Sequence, residues 1–496
     1  MAEITPRWEW RAFGARFGPA EAVFDALEPT EVRESAELYL LGNAVHNVKI
    51  RDGLLDIKIL REVNADGLEM WMPVMKAGFP LPPGEIRRAF EALELPAPSL
   101  ARESYTLDQL IEEVIKPHGT VRRANVHKRR VRYKLEGCAA ELDDVLVDGR
   151  ATRSVAIESE DAEAVMRAVR SARLEGWVNT SYMRGLSDLL DDVPSRYAVI
   201  DCGTNSIKFH LRERLASGGW RTIADRSEIT RLGEGLEEGG RITPAAIDRA
   251  TAAICDMVEE ARRHDARAIA AVGTAGLRMA SNVDEVVEAI RERCGATVEV
   301  TPGEEEARLS FLAVVTGLGL GEEVAVFETG GGSSQFTFGH GAQVDEQFSV
   351  NVGAVRYTER FGLAQVVGDD LLREVLAAIS KDLSRLDDYP EPGALVGMGG
   401  SITNISAVKH ELATYDPDVV QGSVLQRAEI DRQIELYRSI DADARRSIVG
   451  LQPKRADVIL AGACIVRTVM DKLGQNSLTV SDRGLRHGLM IDRFGS

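Results

Sequence analysis

Three glycine-rich turns, two of them fed by an apolar strand ending in a carboxylate, hold the residues best suited to chemistry in this chain. The first reads Tyr197-Ala-Val-Ile-Asp201-Cys-Gly-Thr-Asn-Ser206 and the second Val324-Ala-Val-Phe-Glu328-Thr-Gly-Gly-Gly-Ser-Ser334. In each, bare glycines and small hydroxyl residues expose backbone N–H groups that can cradle phosphate oxygens, and the acid can hold the Mg²⁺ that phosphate brings. Gly203, Thr204, Asn205 and Ser206 are the candidate phosphate contacts of the first turn. Gly330, Gly331, Gly332, Ser333 and Ser334 are those of the second. Asp201 and Glu328 are the candidate ligands for Mg²⁺, or for Mn²⁺ in its place. The third turn, Gly397-Met-Gly-Gly-Ser401, opens a helix, and a helix N-terminus behind a glycine turn is a ready anion site, which makes Gly399 and Ser401 candidates too. A fourth loop, Gly273-Thr-Ala-Gly-Leu-Arg278, adds Arg278, whose forked guanidinium suits phosphate oxygens.

The elements that must position these turns alternate short strands with amphipathic helices. A helix is expected from Thr243-Pro244, with Thr as N-cap and Pro at the first helical position. Strands are expected at 268–272, 297–301 and 394–396, and a helix from about Lys454 to Leu473 closed by Gly474. Pro302-Gly-Glu-Glu-Glu306 starts another helix, whose acidic first turn complements the helix dipole. The repeated strand–acid–glycine unit predicts two similar α/β halves facing each other, and the polar segment Asp188–Ser195 marks a boundary before them. The predicted division is 1–190, 191–317 and 318–496.

The first 190 residues read differently. Proline-rich patches at 80–83 and 96–98 are expected to split them into two strand-rich halves. Charges alternate at Lys49/Arg51, at Lys128/Arg130/Arg132/Lys134, and at Glu141/Asp143, so each set shares one strand face. Two arrangements satisfy this: a solvated sheet face, or a barrel lumen basic on some strands and acidic on others that takes up a metal–polyphosphate ligand.

Composition narrows the function classes. A chain of 496 residues needs two to four domains. The net charge of −18 argues against a nucleic-acid coat. No apolar run reaches the ~18 residues of a membrane span, and no early segment resembles a signal peptide. The five scattered cysteines fit free thiols of a reducing cytoplasm, and the eight histidines do not cluster, which argues against a zinc site.

Residues 197–492 resemble the exopolyphosphatase / guanosine pentaphosphate phosphohydrolase family. The resemblance rests, in order, on the two acid–glycine turns, Arg231-Leu-Gly-Glu-Gly-Leu, Gly273–Ala280, Gly303-Glu-Glu-Glu-Ala-Arg-Leu, Asn351-Val-Gly-Ala-Val-Arg-Tyr, Gly397–Ser401, Lys454-Arg-Ala-Asp and Asp482-Arg-Gly-Leu-Arg-His-Gly. It implies a duplicated actin/sugar-kinase-like (ribonuclease H-like) α/β fold that hydrolyses a terminal phosphoryl group in an interdomain cleft, with Glu306 as general base. Less specifically, the N-terminal part resembles CYTH-type triphosphate-tunnel domains, implying an α+β tunnel barrel in which Lys128, Arg130, Arg132 and Lys134 bind polyanions. That family opens Glu-x-Glu-x-Lys. Here the run is Arg7-Trp-Glu9-Trp-Arg11, a loss that favours binding over catalysis in this domain. The phosphatase family usually carries Asp at Glu328 and Glu at Gln335. The expectation is therefore a Mg²⁺-dependent hydrolase of polyphosphate or guanosine polyphosphate, a cytoplasmic homodimer without nucleic-acid or membrane partners. The competing readings are a catalytically weak sensor of the same ligands and an actin-like kinase.

Overall fold

The structure is a computed structural model that describes residues 5–215, 219–234, 236, 240–321 and 323–495. Its N-terminal part is a closed antiparallel barrel of β1 (Arg7–Gly14), β2 (Glu31–Leu41), β3 (Asn47–Arg51), β4 (Leu54–Val63), β5 (Glu69–Gly78), β6 (Arg122–Leu135), β7 (Cys138–Val147) and β8 (Arg150–Ser159). Their order around the barrel is β1-β5-β4-β3-β2-β6-β7-β8. The two prolines-marked halves expected from sequence are thus one barrel, and residues between β5 and β6 form a connection that includes the helix Pro83–Ala92. The barrel forms because β6 and β7 alternate so regularly. Lys128, Arg130 and Asp143 are buried on the inward face, while Val131, Tyr133 and Leu135 face an outer core with Phe24 and Val165.

Two mixed sheets follow. One has the order β11-β10-β9-β12-β13, from β9 (Ser195–Cys202), β10 (Ser206–Arg214), β11 (Trp220–Ile229), β12 (Ala266–Gly273) and β13 (Val298–Val300). The other has the order β16-β15-β14-β17-β19-β18, from β14 (Glu323–Thr329), β15 (Ser334–His340), β16 (Gln343–Val350), β17 (Ala394–Met398), β18 (Val424–Gln426) and β19 (Ser477–Ser481). The duplication is plain in the topology. Each sheet begins with an antiparallel three-strand meander, and its fourth strand returns parallel to the first. The Asp201 and Glu328 turns occupy the same place in the two meanders. The Gly273 and Gly397 turns follow the equivalent parallel strands β12 and β17.

Local signals hold where they were strongest. The helix Pro244–Arg263 is capped by Thr243, whose hydroxyl accepts from Ala246 N–H at 3.3 Å. The last long helix starts later than expected, at Ile459, because Pro453–Arg455 forms a separate 3-10 turn. Gly474 takes φ of 64°, the left-handed conformation that ends the helix. The segment Asp188–Ser195 is less open than its composition predicts: Asp188–Leu190 complete the helix Tyr182–Leu190, and β9 already begins at Ser195. The barrel packs onto the first sheet rather than hanging from a tether. Trp10, Phe17 and Trp177 share one core with Tyr197 of β9 and with Leu489 and Phe494 of the helix Leu485–Phe494.

Candidate active site

The two meanders deliver their acids to neighbouring positions. Asp201, at the end of β9, is 2% exposed, and its Oδ2 accepts from Lys208 Nζ at 3.1 Å. Lys208 stands directly across from it on β10, so the strand register itself makes the pair. Glu328 opens onto the groove from β14. Crowding by the groove walls raises its pKa, Lys208 opposes the shift, and Glu306 and Asp201 add to it. Gly399, at φ 91°, lies against it: a Cβ there would stand 2.9 Å from Glu328 Cγ. Asp201, Glu328 and Glu306 are hard oxygen donors, and the charges of Asp201 and Glu306 bear on Glu328. The set fits Mg²⁺ or Mn²⁺, which Asp201 and Glu328 would hold.

Glu306 sits in the first turn of the helix Gly303–Leu318. Its Oε2 accepts from Arg278 Nη1 at 2.9 Å, and the same nitrogen donates to the Thr301 carbonyl at 2.6 Å. Arg278 therefore fixes the orientation of Glu306. Glu305 points elsewhere, bound to Arg308 at 2.6 and 2.7 Å, as the ~100° step between helical neighbours demands. Arg278, Glu306, Glu328 and Gln335 line one cavity of about 570 Å³. Gln335 is the cross-strand partner of Glu328, and its amide donates to Ser333 Oγ at 3.0 Å.

The turns supply donors unequally. Gly203 N–H closes its own turn onto Ser206 O, and Gly330 N–H does the same onto Ser333 O. The N–H groups of Thr204, Asn205, Gly331, Gly332 and Ser333 have no hydrogen-bond acceptor among the described residues. Ser206 begins β10, opposite Ile229. Two expected contacts are turned inward. Ser334 is fully buried and its hydroxyl donates to Val352 O at 2.7 Å; Ser401 is 1% exposed, packed beneath Gly462. Small hydroxyl residues beside glycine turns serve packing as often as ligands, and sequence does not separate the two. The Arg231 motif braces the first turn, with Arg231 N–H on Asn205 O and Gly233 N–H on Thr204 O; its Gly235 lies outside the described residues. Sequence reasoning missed Lys208, which the two-residue period from Ser206 would have found. It also missed Arg455, whose guanidinium lies on Gly400, 2.3 Å from where a Cβ would stand.

The four barrel bases are not the continuous line their spacing predicts. Lys128 is 2% exposed, its Nζ 3.8 Å from the Tyr182 ring, and Tyr182 stacks on Tyr39. Tyr182, Met183 and Leu186, on the helix Tyr182–Leu190, pack with inward residues Tyr39, Ala124, Val126 and Val145 and so plug one end of the lumen. Arg130 is buried too, its Nε 3.2 Å from Glu141 and 4.0 Å from Asp143. Only Arg132, paired with Glu31 at 2.5 Å, and Lys134 reach the open mouth, a cavity of about 460 Å³ shared with Arg7, Glu9 and Glu158.

Free backbone donors, clustered carboxylates and an arginine-held glutamate, set on a duplicated actin-like framework, define a phosphoryl-handling protein. Residues 213–496 match the Ppx/GppA phosphatase family, and the chain belongs to it. It is 30% identical over 325 residues to exopolyphosphatase 2 of Mycobacterium tuberculosis, covering 61% of this chain and 99% of that one. It is 29% identical to the guanosine-5'-triphosphate,3'-diphosphate pyrophosphatase of Aliivibrio fischeri, covering 61% and 60% respectively. The solved structure of the Aquifex aeolicus Ppx/GppA phosphatase, 30% identical, superposes with a TM-score of 0.57 over 60% of this chain and 99% of that chain.

Proposed function

We propose that this phosphoanhydride hydrolase removes terminal phosphoryl groups from inorganic polyphosphate, guanosine pentaphosphate or both, in a Mg²⁺-dependent reaction in the cleft between its halves. The observation that carries this reading is the convergence of Arg278, Glu306, Glu328 and Gln335 on one cavity. Hydrolysis of a phosphoanhydride is mainly positioning and charge neutralisation of an in-line attack. The unpaired N–H groups of the two turns hold the phosphoryl oxygens. Lys208 holds Asp201 in place. Glu306, oriented by Arg278, accepts the proton of the attacking water at Oε2 or its partner oxygen. Bound Mg²⁺ supplies neutralisation of the phosphate charge.

We also propose the division 1–190, 191–317 and 318–496, a cytoplasmic location and a homodimer; no helix among the described residues is long and apolar enough to cross a membrane. The N-terminal barrel binds polyanions at its mouth, through Arg132 and Lys134, rather than along its plugged lumen. The sensor reading rests on Gln335, which cannot carry the charge its relatives' Glu would. Phosphate release by the purified chain, measured on tripolyphosphate, long-chain polyphosphate and guanosine pentaphosphate with Mg²⁺ and Mn²⁺, decides: release from at least one supports the hydrolase, and none with tight binding leaves the sensor.

A further inference from the structure

A second cluster of metal-ligating side chains lies where the first sheet meets the C-terminal helix, two residues beyond Lys208 along β10. His210 of β10 and Asp225 of β11 are cross-strand partners, and His487 stands in the first turn of the helix Leu485–Phe494. Asp225 Oδ2 is 3.3 Å from His210 Nδ1 and 3.6 Å from His487 Nε2, and one ligand atom from each residue lies within 4.8 Å of the others. The two rings approach with centroids 4.7 Å apart.

The independent sign of a missing ligand is His210. It is 2% exposed, yet neither ring nitrogen has a hydrogen-bond partner among the described residues. Its Nδ1 is close to Asp225 but misaligned for a hydrogen bond. A buried polar group left in this state is costly, and it is the state a metal ligand adopts before loading. Zn–N and Zn–O bonds of ~2.0–2.2 Å in a tetrahedron put adjacent ligand atoms about 3.3–3.5 Å apart, which the 3.3 and 3.6 Å separations match.

Arg486 serves such a site rather than filling it. Its Nε donates to Asp225 Oδ1 at 2.8 Å and its Nη2 to Oδ2 at 3.2 Å, the outer hydrogen bonding that ligating carboxylates commonly carry. One exchange accompanies loading. His487 Nδ1 now accepts from Gly484 N–H at 3.2 Å; coordination through Nε2 moves the imidazole proton to Nδ1 and ends that bond.

We propose that His210, Asp225 and His487 bind a divalent transition metal, with Zn²⁺ the best match to two imidazoles and a carboxylate, and water completing the tetrahedron. The site ties β10 and β11 to the C-terminal helix, which shares its core with the barrel. It is distinct from the hard-oxygen set of Asp201 and Glu328 and stands or falls independently of the hydrolase reading.

The test uses the full chain, stripped of metal and held in excess Mg²⁺, titrated with Zn²⁺ alone and separately with Co²⁺. One equivalent should bind, raise the melting temperature and give the visible absorption of tetrahedral Co²⁺ without a thiolate charge-transfer band. His210→Asn and His487→Gln should each weaken binding at least about 10-fold, the scale on which even outer-sphere partners act. Should His210→Asn fail to fold, His487→Gln decides, because that side chain lies near the surface of the cluster. No uptake by wild type, unchanged uptake by His487→Gln, or a thiolate band placing the metal on cysteine would each overturn the proposal.

Discussion

The barrel interior and the phosphate groove gather the same residue types and use them oppositely. In the barrel, most acids and bases pair off, although the fully buried Asp143 makes no hydrogen bond among the described residues. Arg11 alone donates to Glu9 at 2.8 Å, Ser154 at 2.6 Å and Glu141 at 2.9 Å, while Lys49 holds Glu37 at 3.1 Å. In the groove, Asp201 and Glu306 are held by Lys208 and Arg278, Glu328 has no salt-bridge partner among the described residues, and five turn N–H groups have no acceptor there. Satisfied polar networks specify structure; unsatisfied ones wait for a ligand. Charge count does not separate the two regions. The turn N–H groups that still have no acceptor do.

The sharpest way to break this contrast is to exchange the penalties. Glu306→Gln should lower phosphate release by about 10²–10⁴ with thermal stability and ligand binding almost unchanged, since its one side-chain partner among the described residues is Arg278 at the groove edge. A variant keeping more than roughly a third of wild-type turnover would remove Glu306 from the role of base. Arg11→Ala should do the reverse. It leaves Glu9 and Glu141 without their shared cation, and breaking a buried ion pair typically costs about 3–5 kcal/mol. Three of the five tryptophans, at 8, 10 and 71, lie on barrel strands, so fluorescence-monitored denaturation should report an earlier transition while turnover on tripolyphosphate holds. Equal loss of stability in both variants would erase the distinction.

The contrast also explains what was legible in the sequence. The duplicated meanders and the positions of Asp201, Glu328 and the free turn N–H groups follow from strand–acid–glycine order, because local backbone geometry and strand period decide them. The fates of Ser334, Ser401 and Lys128 do not. Each depends on what packs over it: Val352, Gly462 and the Tyr182 ring come from distant segments. The alternation of β6 foretold that its bases share one face and left open whether that face points to solvent or into a lumen; it points inward. That its opposite strand β7 sets Asp143 against Arg130 and Glu141 against Arg132, neutralising the line, is register information that no single strand carries.

Within the groove, the pair that departs from the family tests whether unsatisfied means damaged. Glu328 and Gln335 are directly opposed across β14 and β15, close enough for one water or ion to touch both. Gln335→Glu and Glu328→Asp should each lower Mg²⁺-dependent turnover, and the double variant should recover it, a non-additivity of ~0.5–3 kcal/mol in a double-mutant cycle. Additive gains from both single changes would mean that the wild-type pair is a degraded site.

The smallest effect should come from Glu69, a barrel acid with no salt-bridge partner among the described residues. Glu69 of β5 is half-buried, with the Trp71 indole donating to it at 3.2 Å. Burial, then the charge of Glu9, push its pKa up to about 7, with Trp71 and Arg11 opposing. Because the folded value exceeds the ordinary carboxyl value, the folded chain keeps a proton that the unfolded chain has released between about pH 4.5 and 7. Stability therefore falls as pH rises through that window, the reverse of a carboxylate held by an arginine. Glu69→Gln should flatten this part of the melting profile and raise the midpoint at pH 8, with the difference between the two chains vanishing near pH 5. Subtracting the mutant profile removes the other barrel groups that titrate in the same range, Asp143 and Lys128, each near 7. A wild-type advantage that grows with pH would place Glu69 among the paired acids, and the barrel interior would then have no uncompensated carboxylate at that position at all.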